Sequence, residues 1–219
     1  MITGVRSSPA RFGLMKTIMS QQHVICAKFT ATTVRVYQAY RPEIAQAALD
    51  AGTFVSPFSM TRMTWIKPSF NWMMHRSGFA SKPGQEMILG IDITRQGFEW
   101  ALEHAILSSY DASIHSSLLV WKGLLALYPI RVQWDPGRSY RSGRLDDRRA
   151  IQIGLSGEAI QRYVKEWIVS IEDVTPIAFG IAAAIRARQR PASLPDELEQ
   201  PYPLSPALRN RLSKTILPG

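Results

Sequence analysis

The chain has very little cysteine and no long apolar run, and each of these features excludes certain kinds of site or structure. Cys26 is the single cysteine among 219 residues, which excludes an internal disulfide and a zinc site built from several thiolates. No stretch approaches the roughly 18 consecutive apolar residues that cross a bilayer, so no membrane-spanning segment is predicted. A chain with one thiol suits a reducing compartment, and we predict a cytoplasmic protein.

The motifs of several well-known catalytic sites are also absent. The four histidines show no HxH or HxxxH spacing, so no metal site is predicted. There is no Gly-rich phosphate loop and no GxSxG motif. Cys26 has no histidine at a recognised spacing, and we interpret it as structural. The sequence therefore predicts no metal and no cofactor.

Acidic residues are scarce relative to basic ones. The chain has 17 Asp and Glu against 26 Lys and Arg, for a formal net charge of +9. Arginine dominates the basic set, and its guanidinium suits bidentate contact with phosphate or carboxylate. This balance favours an anionic partner such as RNA or a nucleotide. The alternative is a basic surface without such a partner.

Composition changes mark both ends of the chain. Residues 1–21 lack the continuous apolar centre of a secretory signal, and we predict a loose N-terminal extension. Six of the fourteen prolines lie between Pro191 and Pro218, which predicts an irregular, Pro-rich tail over 191–219. The folded domain is then expected at 22–190.

Strand-like and helix-like patterns alternate between these ends. Residues 34–40 and 87–93 are predicted strands, and the second is nearly all apolar, which indicates a central position. Pro42 is expected to open one helix, and Ser69 and Thr94 to cap two others. The alternation predicts an α/β fold, a single domain with helices packed on a central mixed sheet.

The first candidate site lies at the end of the strand at 34–40. A period of two places Gln38 and Tyr40 on one face and Tyr37 on the other. Two phenols and an amide at a strand end can orient a ligand, because α/β proteins commonly bind ligands there. We take all three as catalytic candidates, and the alternative is aromatic packing.

The second candidate is the strand-to-helix turn that follows. Unpaired N–H groups at a helix N-terminus attract anions, and Lys67 would add a full positive charge next to the cap. Two tryptophans flank the turn and can stack on a base. The alternative is a capped helix with core tryptophans. The substrate- or anion-binding candidates here are Arg62, Trp65, Lys67, Ser69, Trp72 and Arg76.

Acidic pairs on two predicted helices form the third candidate. Glu99 and Glu103 are four residues apart and lie away from the apolar stripe, so they can act as a base or bind a guanidinium. A solvated face is the simpler interpretation, and we favour it. Glu158, Arg162 and Glu166 likewise form a ladder that is most simply a row of surface ion pairs.

The fourth candidate is the Arg-rich stretch from Arg131 to Arg149. Its glycines predict a flexible connection, which can order on RNA or phosphate. The alternative is a charged surface loop. We include Arg149 among the anion-binding candidates.

Six motifs in order along residues 22–185 resemble one family, domain of unknown function 4291, which occurs in bacteria and fungi. They are Val36-Tyr-Gln-Ala-Tyr40, Thr64-Trp-Ile-Lys-Pro-Ser69, Gly90-Ile-Asp-Ile-Thr94, Val132-Gln-Trp-Asp-Pro136, Ile151-Gln-Ile-Gly-Leu155 and Glu166-Trp-Ile-Val169. The resemblance extends to fungal members that make arginine-containing cyclodipeptides from aminoacyl-tRNAs. It implies a tRNA-dependent cyclodipeptide synthase with aminoacyl-tRNA as partner.

This chain departs from the family pattern in two places. Members often carry Arg and then an acidic pair before the first strand, where Cys26 and Thr30-Ala31 stand here. The synthases also carry Asp-Asp-x-x-Glu, and the nearest match is Asp146-Asp147-Arg-Arg-Ala150. If the motif lies there, the alanine in place of glutamate argues against synthase activity.

The resemblance implies roles for the candidate residues. Lys67 and Arg76 would hold tRNA phosphate, and the residues of the first candidate site would line the pocket. Glu99 or Glu103 would bind the substrate guanidinium or act as the base. The protein would position an ester-linked amino acid, deprotonate the attacking amine and stabilise the oxyanion.

A weaker resemblance gives a second hypothesis. The strand, helix and Gly-x-Phe order over residues 36–54 is similar to that of ADP-ribosyltransferases. It would imply NAD as cofactor, with Gln38 and Tyr40 facing nicotinamide and Glu166 catalytic. A third hypothesis is a non-catalytic RNA-binding module, whose affinity would fall steeply with salt.

Overall fold

Strand β4 (Met87–Thr94) is the central strand of a three-stranded antiparallel sheet, and strand β2 (Thr33–Tyr40) lies on one side of it. In the computed structural model, which describes residues 23–141 and 143–217, they pair along their whole length. Strand β8 (Ile168–Asp173) pairs with the other side of β4. The apolar run of β4 predicts this central position, because both faces of a central strand are covered.

A second sheet has four strands, and two neighbours in it, Ala105–Leu107 and Ile130–Ser139, pair in parallel. Its order is β3 (Thr64–Ile66), β7 (Gly143–Leu155), β6 (Ile130–Ser139) and β5 (Ala105–Leu107). The two sheets meet where Tyr37 N donates to Lys67 O at 2.7 Å and Lys67 N donates to Tyr37 O at 3.3 Å. The predicted α/β class is confirmed. The strands divide between two sheets because an apolar pattern does not specify strand partners.

Helices cover both sheets, and their ends follow local sequence signals. They are α1 (Pro42–Ala51), α2 (Phe70–Ser77), α3 (Arg95–Glu103), α4 (Leu118–Leu127), α5 (Glu158–Arg162), α6 (Thr175–Arg186) and α7 (Pro206–Leu212), with a π-helical turn at Tyr163–Trp167. Ser69 accepts from Trp72 N and Thr94 from Gly97 N, so both predicted caps are confirmed. Gly52 ends α1 in the left-handed region at a φ of 68°.

The two faces of the β2–β4 ladder carry two separate parts of the core. Val34 and Val36 point into the larger part, together with Ile91 of β4. Tyr37 and Ile88 point to the opposite face, where α2 and α6 cover them. Alternation along the strands therefore separates Tyr37 from its neighbours Val36 and Gln38, as the period of two predicts.

The Arg-rich stretch predicted as a flexible connection is a β-hairpin. Strand β6 continues to Ser139 and β7 begins at Gly143, with a register shift between Pro136 and Gly137. The ladder of backbone hydrogen bonds orders the hairpin despite its polar side chains. Composition gives no warning of this, because pairing depends on the partner strand.

Residues 194–217 pack on the domain, whereas the sequence predicts an irregular tail from 191. A 3₁₀ turn (Pro195–Leu198) leads to strand β9 (Gln200–Pro201), which pairs with β1 (Cys26–Ala27), and α7 follows. Prolines open the turn and α7, so here they mark helix starts. The buried side chains of this segment are Leu194, Tyr202, Leu208, Leu212 and Ile216. The predicted extension at 1–21 lies outside the described residues.

A buried guanidinium joins the three strands of the first sheet. Arg35 donates from Nε to Asp92 Oδ1 at 2.7 Å, from Nη2 to Asp92 Oδ2 at 2.6 Å, and from Nη1 to Glu172 Oε1 at 2.7 Å. Gly90 lies below it, and a Cβ there would approach Nη1 to 2.4 Å. Glycine at this position therefore makes room for the ion pair.

We expect Asp92→Asn to reduce stability by about 1.5–3 kcal/mol at neutral pH, the usual value of hydrogen bonds to charged groups. Burial alone would raise the pKa of Asp92, but hydrogen bonds and charge from Arg35 outweigh it and lower the pKa. The stabilisation is therefore present above the unfolded pKa near 4 and is lost as pH falls through the folded value. Melting curves between about pH 3 and 7 should show a flatter acid limb for Asp92→Asn than for the parent. Asp50→Asn, an exposed control, should keep the parent slope.

Candidate functional site

A cavity of about 560 Å³, here called the first cavity, opens where β2 ends beside β3. Its volume lies within the roughly 300–1,000 Å³ typical of small-molecule sites. Among the residues that the structure describes, no carboxylate lines it, and three of its side chains are basic. The cavity therefore suits a ligand with anionic or electron-rich groups. Its chemistry-bearing side chains are Gln38, Tyr40, Arg41, Arg62, Thr64 and Lys67.

A buried hydrogen-bond network fixes one wall of the first cavity. The Tyr163 hydroxyl donates to Gln38 Oε1 at 2.7 Å, which turns the Gln38 amide nitrogen toward the cavity wall. That nitrogen carries two hydrogens and lies 2.7 Å from Thr64 Oγ1, 2.9 Å from the Tyr40 hydroxyl and 3.2 Å from Trp65 O. Burial raises the pKa of Tyr40 to about 12, so the phenol is protonated at neutral pH.

The hydroxyl groups of Tyr40 and Thr64 together can offer one hydrogen to a ligand. The hydroxyl oxygens of Tyr40 and Thr64 lie 2.8 Å apart, and both lie within hydrogen-bond distance of the Gln38 amide nitrogen, which can only donate to them. The pair carries two hydroxyl hydrogens, and their mutual hydrogen bond uses one. The structure gives the second hydrogen no acceptor within the described residues. One hydroxyl is therefore free to donate into the cavity.

Lys67 places an amine on the same cavity. Its Nζ donates to Trp65 O at 2.8 Å and lies 5.7 Å from the centre of the Trp72 ring. Burial and, to a smaller extent, the charge of Arg76 lower the pKa of Lys67 to about 7, against the opposing charge of Asp135. The sequence predicts a full positive charge here. The structure instead places an amine that is about half deprotonated at pH 7 and can accept a proton.

The predicted anion site at the N-terminus of α2 is already occupied by the chain itself. Phe70 N donates to Glu199 Oε1 at 2.6 Å, and Trp72 N donates to Ser69 Oγ at 3.4 Å. The group that accepts from this helix N-terminus is thus the carboxyl of Glu199 in the C-terminal segment. Because 129 residues separate Phe70 from Glu199, no local sequence signal reveals this pairing.

Two further cavities border the turn at residues 67–72. Ser69, Asn71 and Arg149 line a second cavity of about 410 Å³. Trp72 and Arg76 line a third cavity of about 290 Å³. The predicted anion-binding residues therefore surround one turn but belong to three cavities, with Arg62, Trp65 and Lys67 on the first.

The third cavity is lined mainly by basic side chains and lies between α2 and strand β6. Arg76, Lys82 and Arg138 line it together with Trp72, and Asp135 is its carboxylate within the described chain. Lys82 Nζ donates to Arg76 O at 2.8 Å, which holds the lysine beside the helix end. Cations beside an indole suit a phosphate and an adjacent base.

Tyr37 does not reach the first cavity. Its side chain is 2% exposed and packs edge-on against Phe70, with ring centres 5.2 Å apart. It faces the α2 and α6 side of the sheet, so its contribution to the site is the backbone bridge to Lys67. Of the first candidate set, the structure brings Gln38 and Tyr40 together at the cavity.

The acidic candidates also lie away from the first cavity. Glu99 accepts from the Tyr202 hydroxyl at 2.5 Å, so it anchors the C-terminal segment. The Glu103 carbonyl accepts from Arg211 of α7. Glu166 stands in the π-helical turn and pairs with Arg162 at 3.8 Å. Their contacts match the ion pairs and solvated faces that the sequence also allows.

Sequence reasoning missed Thr64, Tyr163 and Glu199. Thr64 is a polar residue in a predicted strand, and its side chain is only 7% exposed in the structure. A polar residue in a short apolar strand is a weak signal of a functional role. Tyr163 lies in the apolar stripe of its helix, so its pattern indicates only core packing. Nothing in its local sequence shows that its hydroxyl orients Gln38, because the contact spans 125 residues.

Residues 24–202 match the model of a family described as Domain of unknown function (DUF4291). No protein of curated function matches the chain. Over residues 23–141 and 143–217, the structure has no helix long and apolar enough to cross a membrane and no cluster of three His, Cys, Asp or Glu side chains able to hold a metal.

Proposed function

The chain belongs to the DUF4291 family, and we propose that it is a tRNA-dependent cyclodipeptide synthase that joins an arginyl and a second aminoacyl group. The observation that carries the proposal is the presence of two kinds of group on the wall of the first cavity. A proton acceptor, Lys67, and a free hydroxyl of the Tyr40–Thr64 pair line the same space. Aminoacyl transfer needs both functions.

Transfer between two aminoacyl esters requires little activation of the ester itself. The attacking α-ammonium must lose a proton, and negative charge develops on the ester carbonyl oxygen. Lys67, with its pKa lowered to about 7 by burial, matches an α-amino group, whose pKa is about 7.7–8.0 in peptides. The free hydroxyl donates to the developing oxyanion. The first attack forms a peptide bond, breaks one aminoacyl ester and releases its tRNA, whose terminal oxygen takes the proton. The free amine of the resulting dipeptidyl ester then attacks the remaining ester carbonyl, which closes the ring and releases the second tRNA in the same way.

The basic residues around Lys67 supply a path for the tRNA end. Arg41 and Arg62 line the first cavity, and Arg76 and Arg138 line the third. Lys67 and Trp72, which are in contact, join the two cavities. Phosphates along this path, with a base on Trp72, would place the aminoacyl ester at the Lys67 amine. The net charge of +9 supports the same partner.

The ADP-ribosyltransferase hypothesis has less support. Its catalytic glutamate would have to face the nucleotide beside Gln38 and Tyr40, and Glu166 pairs instead with Arg162 outside this cavity. The RNA-binding hypothesis shares the basic path and differs only in its chemistry. It predicts tRNA affinity without any product.

Purified protein incubated with arginyl-tRNA and a mixture of other aminoacyl-tRNAs should release an arginine-containing cyclodipeptide, detected by mass spectrometry. The variant with both Tyr40→Phe and Thr64→Val should bind tRNA but lose most of this product, because it removes the free hydroxyl. Each such donor typically contributes about 10²–10³-fold to rate. A folded parent that binds tRNA without making product would identify an RNA-binding module and contradict the proposal.

A further inference from the structure

The second cavity differs in chemistry from the first, because acidic side chains line it. Asp147, Asp196 and Glu199 contribute carboxylates, and Asn71 contributes an amide. The cations on its wall come from the β6–β7 hairpin and are Arg138, Arg148 and Arg149, and the thiol of Cys26 also lines it. The cavity brings the C-terminal segment, α2 and the hairpin to one space of about 410 Å³.

Two acceptor atoms at this cavity are buried without partners. Asn71 is 3% exposed, and its Nδ2 donates to Asp196 Oδ2 at 2.7 Å. Within the described residues, Asn71 Oδ1 and Asp196 Oδ1 are both buried and accept no hydrogen bond. Buried polar atoms are normally satisfied, so two unsatisfied acceptors on adjacent residues of one cavity indicate a missing donor.

The ligand that fits is a flat cation with several N–H donors. A guanidinium carries five donors in one plane and can serve more than one acceptor at once, whereas an ammonium is a compact point charge. From the unsatisfied acceptors and the carboxylates around them, we infer that the second cavity binds the guanidinium group of a small molecule. This deepens the proposed function, which requires a site for an arginyl side chain and finds no carboxylate for it among the described residues lining the first cavity.

The affinity of the second cavity for a guanidinium should depend on pH, because the charge of its carboxyl groups does. Burial, with a smaller contribution from the neighbouring Asp196, raises the pKa of Glu199 to about 8, against the hydrogen bonds from Phe70 N and Ser69. A guanidinium favours the deprotonated carboxylate, so its affinity should increase as pH rises through about 8 and Glu199 loses its proton. Burial also raises the pKa of Asp196 and that of the Cys26 thiol. The other charged groups that line the cavity are Asp147, Arg138, Arg148 and Arg149.

Calorimetric titration with agmatine tests the site without requiring catalysis. N-carbamoylputrescine is the matched probe, because a neutral ureido group replaces the guanidinium in the same chain. The parent should bind agmatine at least tenfold more tightly, and more tightly at pH 9 than at pH 7. Equal binding of the two probes, or no binding of either, would overturn the inference.

Two variants of the second cavity and one control variant test where agmatine binds. Asp196→Asn should weaken agmatine binding about tenfold, and Glu199→Gln should remove the rise with pH while keeping an acceptor for Phe70 N. Glu197→Gln is the control, since Glu197 lies on the same turn but is exposed and pairs with Arg190 at 2.5 Å. Melting curves show that each variant is folded, and parental binding in both cavity variants would contradict the site. Agmatine binding without cyclodipeptide would retain the site and refute only the proposed reaction.

Discussion

Replacing Lys67 with alanine should lower the rate of cyclodipeptide formation by about 100-fold or more, within the usual contribution of a general base. The amine is the proton acceptor of the first cavity, and its pKa of about 7 follows from burial and from the charge of Arg76. The parent rate should therefore rise with pH up to about 7 and then level off. The variant should lose this dependence.

Lys67→Arg separates a base from a simple charge. A guanidinium stays protonated at neutral pH, so it can retain tRNA affinity but cannot accept the proton. We expect Lys67→Arg to bind tRNA nearly as the parent does and to remain at least about 100-fold slower. Initial rates and filter binding at two salt concentrations measure the two effects. Lys122→Ala, an exposed change on α4, is the control. Parental rates in Lys67→Arg would show that Lys67 acts only through its charge.

The same lysine costs the protein stability, which gives a readout independent of activity. The pKa of Lys67 is lowered from 10.5 to about 7 in the folded protein. Between these values the unfolded chain binds more protons, so Lys67 makes stability rise with pH across this window. Lys67→Met should therefore melt at a higher temperature than the parent at pH 7, and the difference should shrink toward pH 10.

The Gly97→Ala variant should lose about 1–3 kcal/mol or more of stability, because α3 packs directly on an indole. A Cβ at Gly97 would lie 2.3 Å from Cγ of Trp167, and that side chain is 4% exposed. The ring cannot move away freely, since Trp100 also packs against it at 5.5 Å between ring centres. Each kcal/mol should lower the melting temperature by about 2–4 °C in a chain of this size.

Gly123→Ala is the matched control for Gly97→Ala, because both glycines lie inside helices. A Cβ at Gly123 would meet nothing within 4 Å, and none of the residues of α4 is buried. Alanine there should raise stability by up to about 1 kcal/mol through helix propensity alone. Thermal melts of the two variants should move in opposite directions. A neutral or stabilising Gly97→Ala would contradict the tight packing of α3 on Trp167.

The family and the local elements could be predicted from the sequence because their signals are short-range. Ser69 and Thr94 cap helices, Gly52 and Gly78 end them in the left-handed region, and the apolar run of β4 becomes a central strand. Each signal acts within one turn or one strand. The pairing of Gln38 with Tyr40 on one face follows equally from the two-residue period.

Only the tertiary structure determines which of these side chains lie together in one site and which of them are charged there. Tyr163 orients Gln38 across 125 residues, and Glu199 occupies the N-terminus of α2 across 129. Burial converts Lys67 from a predicted full positive charge into a proton acceptor. Desolvation and long-range contacts depend on how distant segments pack, so a sequence names these residues as polar while the fold determines their chemistry.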